Sequence, residues 1–356
     1  GLGKACSQNS DCASNTCTGT CVSDITFRVL RLGTGAAALA STATPGFLEA
    51  YTVAGVAVGA PLALPTAVDG LNRILTFSGT ATSEGGLSRS ASGGYLTLVG
   101  YDAPVGTASI TTSTSATINR IVGRISAAGV IDTSTRIDAG LSGGNPRSAT
   151  SSNGTDLWVS GTASPAATGG IWYTTLGSIT GAVQVLASPS NVRFDHIFNG
   201  QLYASSGSGA FVNVFTVGVG LPTMAGQTAT SLSGLPVAGA SPYSFAFFDR
   251  NPMVAGLDTL YLADDRAAAS GGGVQKWTFD GTTWTLAYTL KGSITTGYRG
   301  LAAVVTGADV TIVATTTESS ANKLVAFVDD GSGTSPSAVL VTAAANTVYR
   351  GVALSP

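Results

Sequence analysis

Hydrophobic and polar positions alternate along this chain in short bursts, and one burst keeps returning. Gly154–Thr162 reads GTDLWVSGT: a polar turn, a Leu-aromatic pair, then small and β-branched residues. NGQLYASSG at Asn199–Gly207 and LDTLYLADD at Leu257–Asp265 repeat the Leu-aromatic centre, while GGYLTLVGYD at Gly93–Asp102 and ADVTIVATTT at Ala308–Thr317 repeat the outline. The copies lie roughly 45–60 residues apart, the spacing at which a four-stranded unit recurs in a radial array of sheets. No segment holds apolar residues at i, i+3, i+4 and i+7 for three turns, so almost no helix is predicted. WTFDGTTWTL at Trp277–Leu286 shows the local logic. Two Thr- and aromatic-rich strands flank Asp280-Gly281, a dipeptide that accepts positive φ in a hairpin turn.

An arginine shortly ahead of each core strand gives a second way to align the units. Arg89, Arg147, Arg193, Arg299 and Arg350 head successive units and Tyr243 fills the remaining slot, which makes six starts. Only six residues follow Arg350, enough for one strand. Strands from Phe27–Gly33, Phe47–Gly55 and the stretch Pro61–Gly79 can complete that last unit. The expectation is an all-β, six-bladed β-propeller over residues 26–356, closed by strands from both chain ends, because closure removes the exposed edge of an open array. Asn72–Gly85 is surplus to three strands, and a seven-bladed ring is the alternative.

Composition narrows the function classes. Only 10% of residues are charged and the net charge is −2, so there is neither a basic field for nucleic acid nor a polybasic patch for anionic lipid. The longest apolar run, Val53–Leu64, is broken by Pro61, well short of the roughly 20 residues of a membrane span. All four cysteines, Cys6, Cys12, Cys17 and Cys21, precede a Cys-free body. Such a cluster reads as a disulfide module or arm over residues 1–25 in an oxidising compartment, with three pairings open. A zinc knot fits less well, because the spacing lacks paired C-x2-C. The chain begins with Gly1, which agrees with removal of a secretory signal. A secreted protein, extracellular or on the cell surface, is expected.

Gly3–Val22 resembles the short Cys-rich segments of secreted proteins from myxobacteria and related bacteria. From about Phe47 to Pro356, the motifs TATSEGGLSRS, GGYLTLVGYDAP, GLDTLYLADDR, GGGVQKWTFDGTTWTL and YRGVALSP resemble a group of secreted bacterial β-propeller proteins. That resemblance implies an extracellular propeller. It implies no established activity.

Several residues are candidates for chemistry. Equivalent residues at the start of each innermost strand form a ring round the axis of a propeller. Arg89, Arg147, Arg193, Arg299 and Arg350 would then make an anion site able to grip carboxylate, sulfate or phosphate. The competing reading is that each arginine satisfies carbonyls or an Asp on its neighbour. Asp249, Asp258, Asp264 and Asp265 form an acidic set that could serve acid–base chemistry or cap turns. His196, the single histidine, cannot readily be oriented by Asp195, since neighbours in a strand face opposite ways. The aromatics Trp158, Trp172, Tyr203, Tyr261, Trp277 and Trp284 could stack sugars or pack between blades. No nucleophile elbow, phosphate loop or zinc-protease motif is present, and no cofactor or metal is expected. The sequence thus points to a non-catalytic extracellular binding or self-assembling surface protein, with an N-terminal arm reaching a second subunit or an extracellular glycan as partner. A hydrolase or lyase acting on an acidic polysaccharide or phosphate ester is the alternative.

Overall fold

Strands form where the alternation occurs, and they are short because Gly-rich turns interrupt them. A computed structural model describes residues 25–334 and 336–356. The Cys-rich module with Cys6, Cys12, Cys17 and Cys21 lies outside the described residues. The chain opens with β1 (Thr26–Leu32), β2 (Ala43–Thr52), β3 (Leu62–Ala63), β4 (Thr76–Ser78), β5 (Ser88–Arg89), β6 (Tyr95–Tyr101), β7 (Arg120–Ser126) and β8 (Ile131–Ile137). Four antiparallel, four-stranded sheets follow. The first holds β9 (Pro146–Ser151), β10 (Asp156–Gly161), β11 (Gly170–Thr175) and β12 (Val183–Leu186), and the second β13 (Val192–Phe198), β14 (Gln201–Ser206), β15 (Asn213–Val217) and β16 (Ala229–Ser231). In the third are β17 (Pro242–Phe248), β18 (Thr259–Asp264), β19 (Gly273–Phe279) and β20 (Trp284–Leu290), and in the fourth β21 (Tyr298–Thr306), β22 (Asp309–Thr316), β23 (Lys323–Asp329) and β24 (Ser337–Thr342). The last strand, β25 (Val348–Leu354), returns to pair antiparallel with β1, Phe27 opposite Leu354 and Val29 opposite Val352. Both chain ends therefore close the structure, which is an all-β propeller.

Six, or seven, separate four-stranded blades were expected, and this is corrected. Among the described residues four sheets stand alone, and the other strands form one nine-stranded sheet. The fusion comes from β4, inside the stretch that looked surplus: Thr44 pairs with Phe77, and Thr76 pairs with Tyr101, so β4 bridges β2 and β6. The nine-stranded sheet contributes two innermost strands, β5 and β25. Around the axis β5, β9, β13, β17, β21 and β25 each touch the next, and β25 touches β5.

Every copy of the recurrent motif is the second strand of its group: β6, β10, β14, β18 and β22. Sheets on both sides cover these strands, so their residues are almost all buried; in β18 all six are. Their aromatic residues pack between sheets. Trp158 lies with Ile197, Leu202 and Phe215 of the next sheet and donates its indole N–H to the Pro222 carbonyl at 2.7 Å. Innermost strands approach so closely that a side chain is excluded at some points: a Cβ on Gly351 would sit 2.3 Å from the Leu87 nitrogen. The predicted hairpin joins β19 to β20 with Phe279 opposite Trp284. Its loop spans 280–283, with Gly281 at φ 98° and the Asp280 carboxylate accepting the N–H groups of Thr282 and Thr283. Short 3-10 turns are the only helical segments among the described residues, and no helix is long and apolar enough to cross a membrane.

Candidate axial anion site

Strand register decides which residues share a level in the axial channel. Arg89 pairs with Leu96 of the motif in β6, whereas in β10 the matching Leu157 pairs with Ser151. Arg89 is therefore the counterpart of Ser151, and the residue level with Arg147 in the first group is Gly85, next to Glu84. The structure does not bring Arg89 to the other four arginines. It sits at the far end of β5, where its Nε donates to the Gly93 carbonyl at 3.0 Å.

Arg147, Arg193, Arg299 and Arg350 do gather at one end of the channel, with Tyr243 in the remaining strand and Glu84 beside the level expected for an arginine. Glu84, Arg193, Tyr243, Arg299, Glu318 and Arg350 line a narrow cavity of about 30 Å³. Each guanidinium also reaches toward a neighbour. Arg147 donates to Asn191 Oδ1 at 2.5 Å and the Val192 carbonyl at 3.1 Å, and Arg193 donates to Ser241 Oγ at 2.7 Å and the Pro242 carbonyl at 3.3 Å. Arg299 is held by Asp265 at 3.0 Å, and Arg350 donates to the Gly79 carbonyl at 3.2 Å. The Tyr243 ring lies between two of them, 4.6 Å from the Arg193 guanidinium carbon and 5.3 Å from that of Arg299. Carbonyl satisfaction between neighbours thus accounts for part of the arginine repeat.

It does not account for all of it. Among the described residues no carboxylate comes within 4 Å of Arg147, Arg193 or Arg350. Among the described residues the buried Nε atoms of Arg147 and Arg350 have no hydrogen-bond partner, and a buried donor left unpaired is costly. Arg350 is only 5% exposed. Burial, with Arg299 alongside, pushes its guanidinium down to about 10, while Glu84 and Tyr243 act in the other direction. Burial likewise lowers Arg147.

Glu84 is the cavity residue that the arginine alignment passed over. It accepts the Ser78 N–H at 2.9 Å, the Tyr101 hydroxyl at 2.5 Å and the Asn145 amide at 2.7 Å. Burial raises its carboxyl, and those three bonds together with Arg350 hold the rise back. The available signal was TSEGG, directly ahead of β5 in the surplus stretch. Glu318, the other carboxylate of the cavity, is paired with Lys323 at 2.8 Å. Two lining arginines without an ion pair among the described residues, Arg193 and Arg350, against one unneutralised glutamate leave the cavity cationic.

The acidic candidates are dispersed into turns and ion pairs. Asp258 accepts the N–H groups of Arg250 and Asn251, Asp264 pairs with Arg266 at 2.8 Å, and Asp265 holds Arg299. Asp249 is not among the residues that line the axial cavities. Asp195 and His196 face apart, as the strand geometry requires. Asp195 is fully buried against the preceding sheet, accepting Ser148 Oγ and, at 2.7 Å, Ser160 Oγ, while its other oxygen has no partner. Burial pushes it up to about 7. His196 faces the other end of the channel, its ring 4.6 Å from that of Phe198, and burial pushes it down to about 4. Among the described residues no three His, Cys, Asp or Glu side chains are placed to share a metal.

No protein-family model matches the chain, and no curated protein matches it. Solved structures do. A chain of a nidogen/laminin complex is similar at 11% identity, with 92% of this chain and 98% of that one covered and a TM-score of 0.50. A 6-phosphogluconolactonase-like protein of Bacteroides fragilis is similar at 13% identity, with 87% and 80% covered and a TM-score of 0.48. At these identities the likeness shows the fold alone: this chain is a β-propeller.

Proposed function

We propose that this protein is a non-catalytic binding propeller whose axial arginine cavity holds a small oxyanion: sulfate, phosphate or the carboxylate of a larger molecule. The observation that carries the reading is the buried Nε donor of Arg350, unpartnered among the described residues, in a cavity with surplus positive charge. Guanidinium groups recognise tetrahedral and planar oxyanions through such forked donors. A cavity of about 30 Å³ admits a group of a few heavy atoms, since one water needs roughly 10–15 Å³. It does not admit a polymer along the axis. A binding role is favoured over hydrolase or lyase chemistry because Asp258, Asp264 and Asp265 are engaged in turns and ion pairs. The clustered cysteines support placing the protein outside the cell, with residues 1–25 as a disulfide-bonded arm that tethers it or joins a second copy.

Titration calorimetry with sulfate tests the proposal. Wild-type protein binds, and Arg350→Met weakens binding at least tenfold while the protein stays folded by circular dichroism. Equal binding by both, or heat absent with sulfate, phosphate and acetate alike, overturns it.

A further inference from the structure

The other end of the channel has different chemistry. Beyond a waist at Leu87, Phe194 and Val352, shared with the arginine cavity, it opens into a chamber of about 230 Å³. Phe198, Phe245, Phe248 and Leu301 contribute most of the apolar wall, and among the described residues no Asp or Glu lines it. A few polar groups interrupt that wall, chiefly Arg89, Ser90 and His196. Mostly apolar walls with a few convergent polar groups are the usual make-up of a small-molecule site.

Ser90 is engaged by the Tyr95 N–H and the Ser92 hydroxyl, whereas Arg89 and His196 are committed on one side only. Arg89 spends its Nε on the Gly93 carbonyl, and its two terminal amino groups make no hydrogen bond among the described residues. No carboxylate pairs with it at ion-pair distance among the described residues. His196 accepts the Ile197 N–H at Nδ1, 2.9 Å away, which assigns the proton to Nε2 and leaves that donor for the chamber. The part-exposure of His196 is thus exposure to the chamber. A cation and a neutral N–H donor, set in an apolar wall without a carboxylate, match an organic anion.

The geometry points to a second binding site here, for a monocarboxylate with an apolar body of about six to eight carbons. The body fills the chamber, and the carboxylate is held by the terminal amino groups of Arg89 and the Nε2–H of His196. The size follows from volume: a cavity of about 150 Å³ takes benzene, and this one is larger. The site differs from the arginine cavity in position and in ligand, and it does not depend on an anion being bound there.

Octanoate titrated into the full chain, with octanol as the neutral comparator, tests the inference. Octanoate binds at least tenfold tighter than octanol, and Arg89→Met removes that preference. Ala91, an exposed residue at the chamber wall, supplies a variant that leaves the turn at Gly93 intact: Ala91→Phe narrows the chamber and weakens octanoate binding at least fivefold. Sulfate binding at the arginine end is unchanged in both variants, which separates the two sites. Equal affinity for octanoate and octanol, octanoate binding indifferent to both substitutions, or no octanoate binding overturns the inference.

Discussion

The two ends of the axial channel are built from the same strands yet have opposite character. At one end Arg193, Arg299 and Arg350 line a narrow cavity of about 30 Å³ that also holds a buried glutamate; at the other, Phe194, Phe198, Phe245 and Phe248 enclose about 230 Å³ with a single arginine. Position along an innermost strand, rather than membership of a repeat, sets the chemistry. Residues that look equivalent in the sequence, such as Arg89 and Arg147, serve different ends, because four residues along the strand separate their levels.

Stability breaks this comparison most sharply. Glu84 is buried among arginines and accepts three hydrogen bonds, so Glu84→Ala strands several donors and an uncompensated charge cluster. It is expected to cost about 3–5 kcal/mol. Arg89→Met, at the other end, removes one bond to the Gly93 carbonyl and is expected to cost about 1 kcal/mol or less. Urea unfolding of both variants beside wild type measures the difference. Similar losses would mean that the two ends are equally dependent on their charges.

Anion binding separates the ends next. Glu84→Gln removes the negative charge yet keeps an amide-sized side chain. Sulfate affinity is expected to rise by about threefold to tenfold, equivalent to about 0.7–1.4 kcal/mol. In wild type the same affinity increases as pH falls and Glu84 takes up its proton. Arg89→Met leaves it unaltered. A sulfate affinity that ignores Glu84 and pH would place the anion elsewhere.

Much of this organisation was legible in the sequence, for identifiable reasons. The second strands announced themselves because both of their faces are covered, so Leu157-Trp158, Leu202-Tyr203 and Leu260-Tyr261 recur as inward-packed pairs. Closure by β25 and β1 was legible from the single strand that could follow Arg350. The division into separate blades was not, because β4 pairs on both sides through only three residues, Thr76–Ser78, too few to show a pattern. Glu84 was hidden for a related reason: β5 is two residues long, so alignment by the nearest arginine chose Arg89 and shifted the level by four. The sequence showed that Asp195 and His196 face opposite ways, but only the structure shows that Asp195 enters the neighbouring sheet at Ser148 and Ser160.

The smallest expected effect concerns Asp195, midway between the ends. Its carboxyl is raised from an ordinary 3.8 to about 7. Between those values the folded state holds a proton that the unfolded chain has released, so stability declines as pH rises through that window. His196, lowered from 6.5 to about 4, acts oppositely: its contribution is lost as pH falls from 6.5 toward 4. The two offset each other below pH 6.5, and above it His196 adds no further pH dependence. Wild type is expected to lose about 1 kcal/mol between pH 6.5 and 8 through Asp195, and Asp195→Asn to lose measurably less. Chemical unfolding at the two pH values checks this; equal losses would place the titrating group elsewhere.

The most direct test of the arginine cavity is an anomalous-difference map from crystals soaked in selenate, collected near the selenium edge. The account predicts a peak on the axis within hydrogen-bonding distance of the Arg350 Nε. A cavity filled by water alone, with selenate confined to the outer surface, would contradict it.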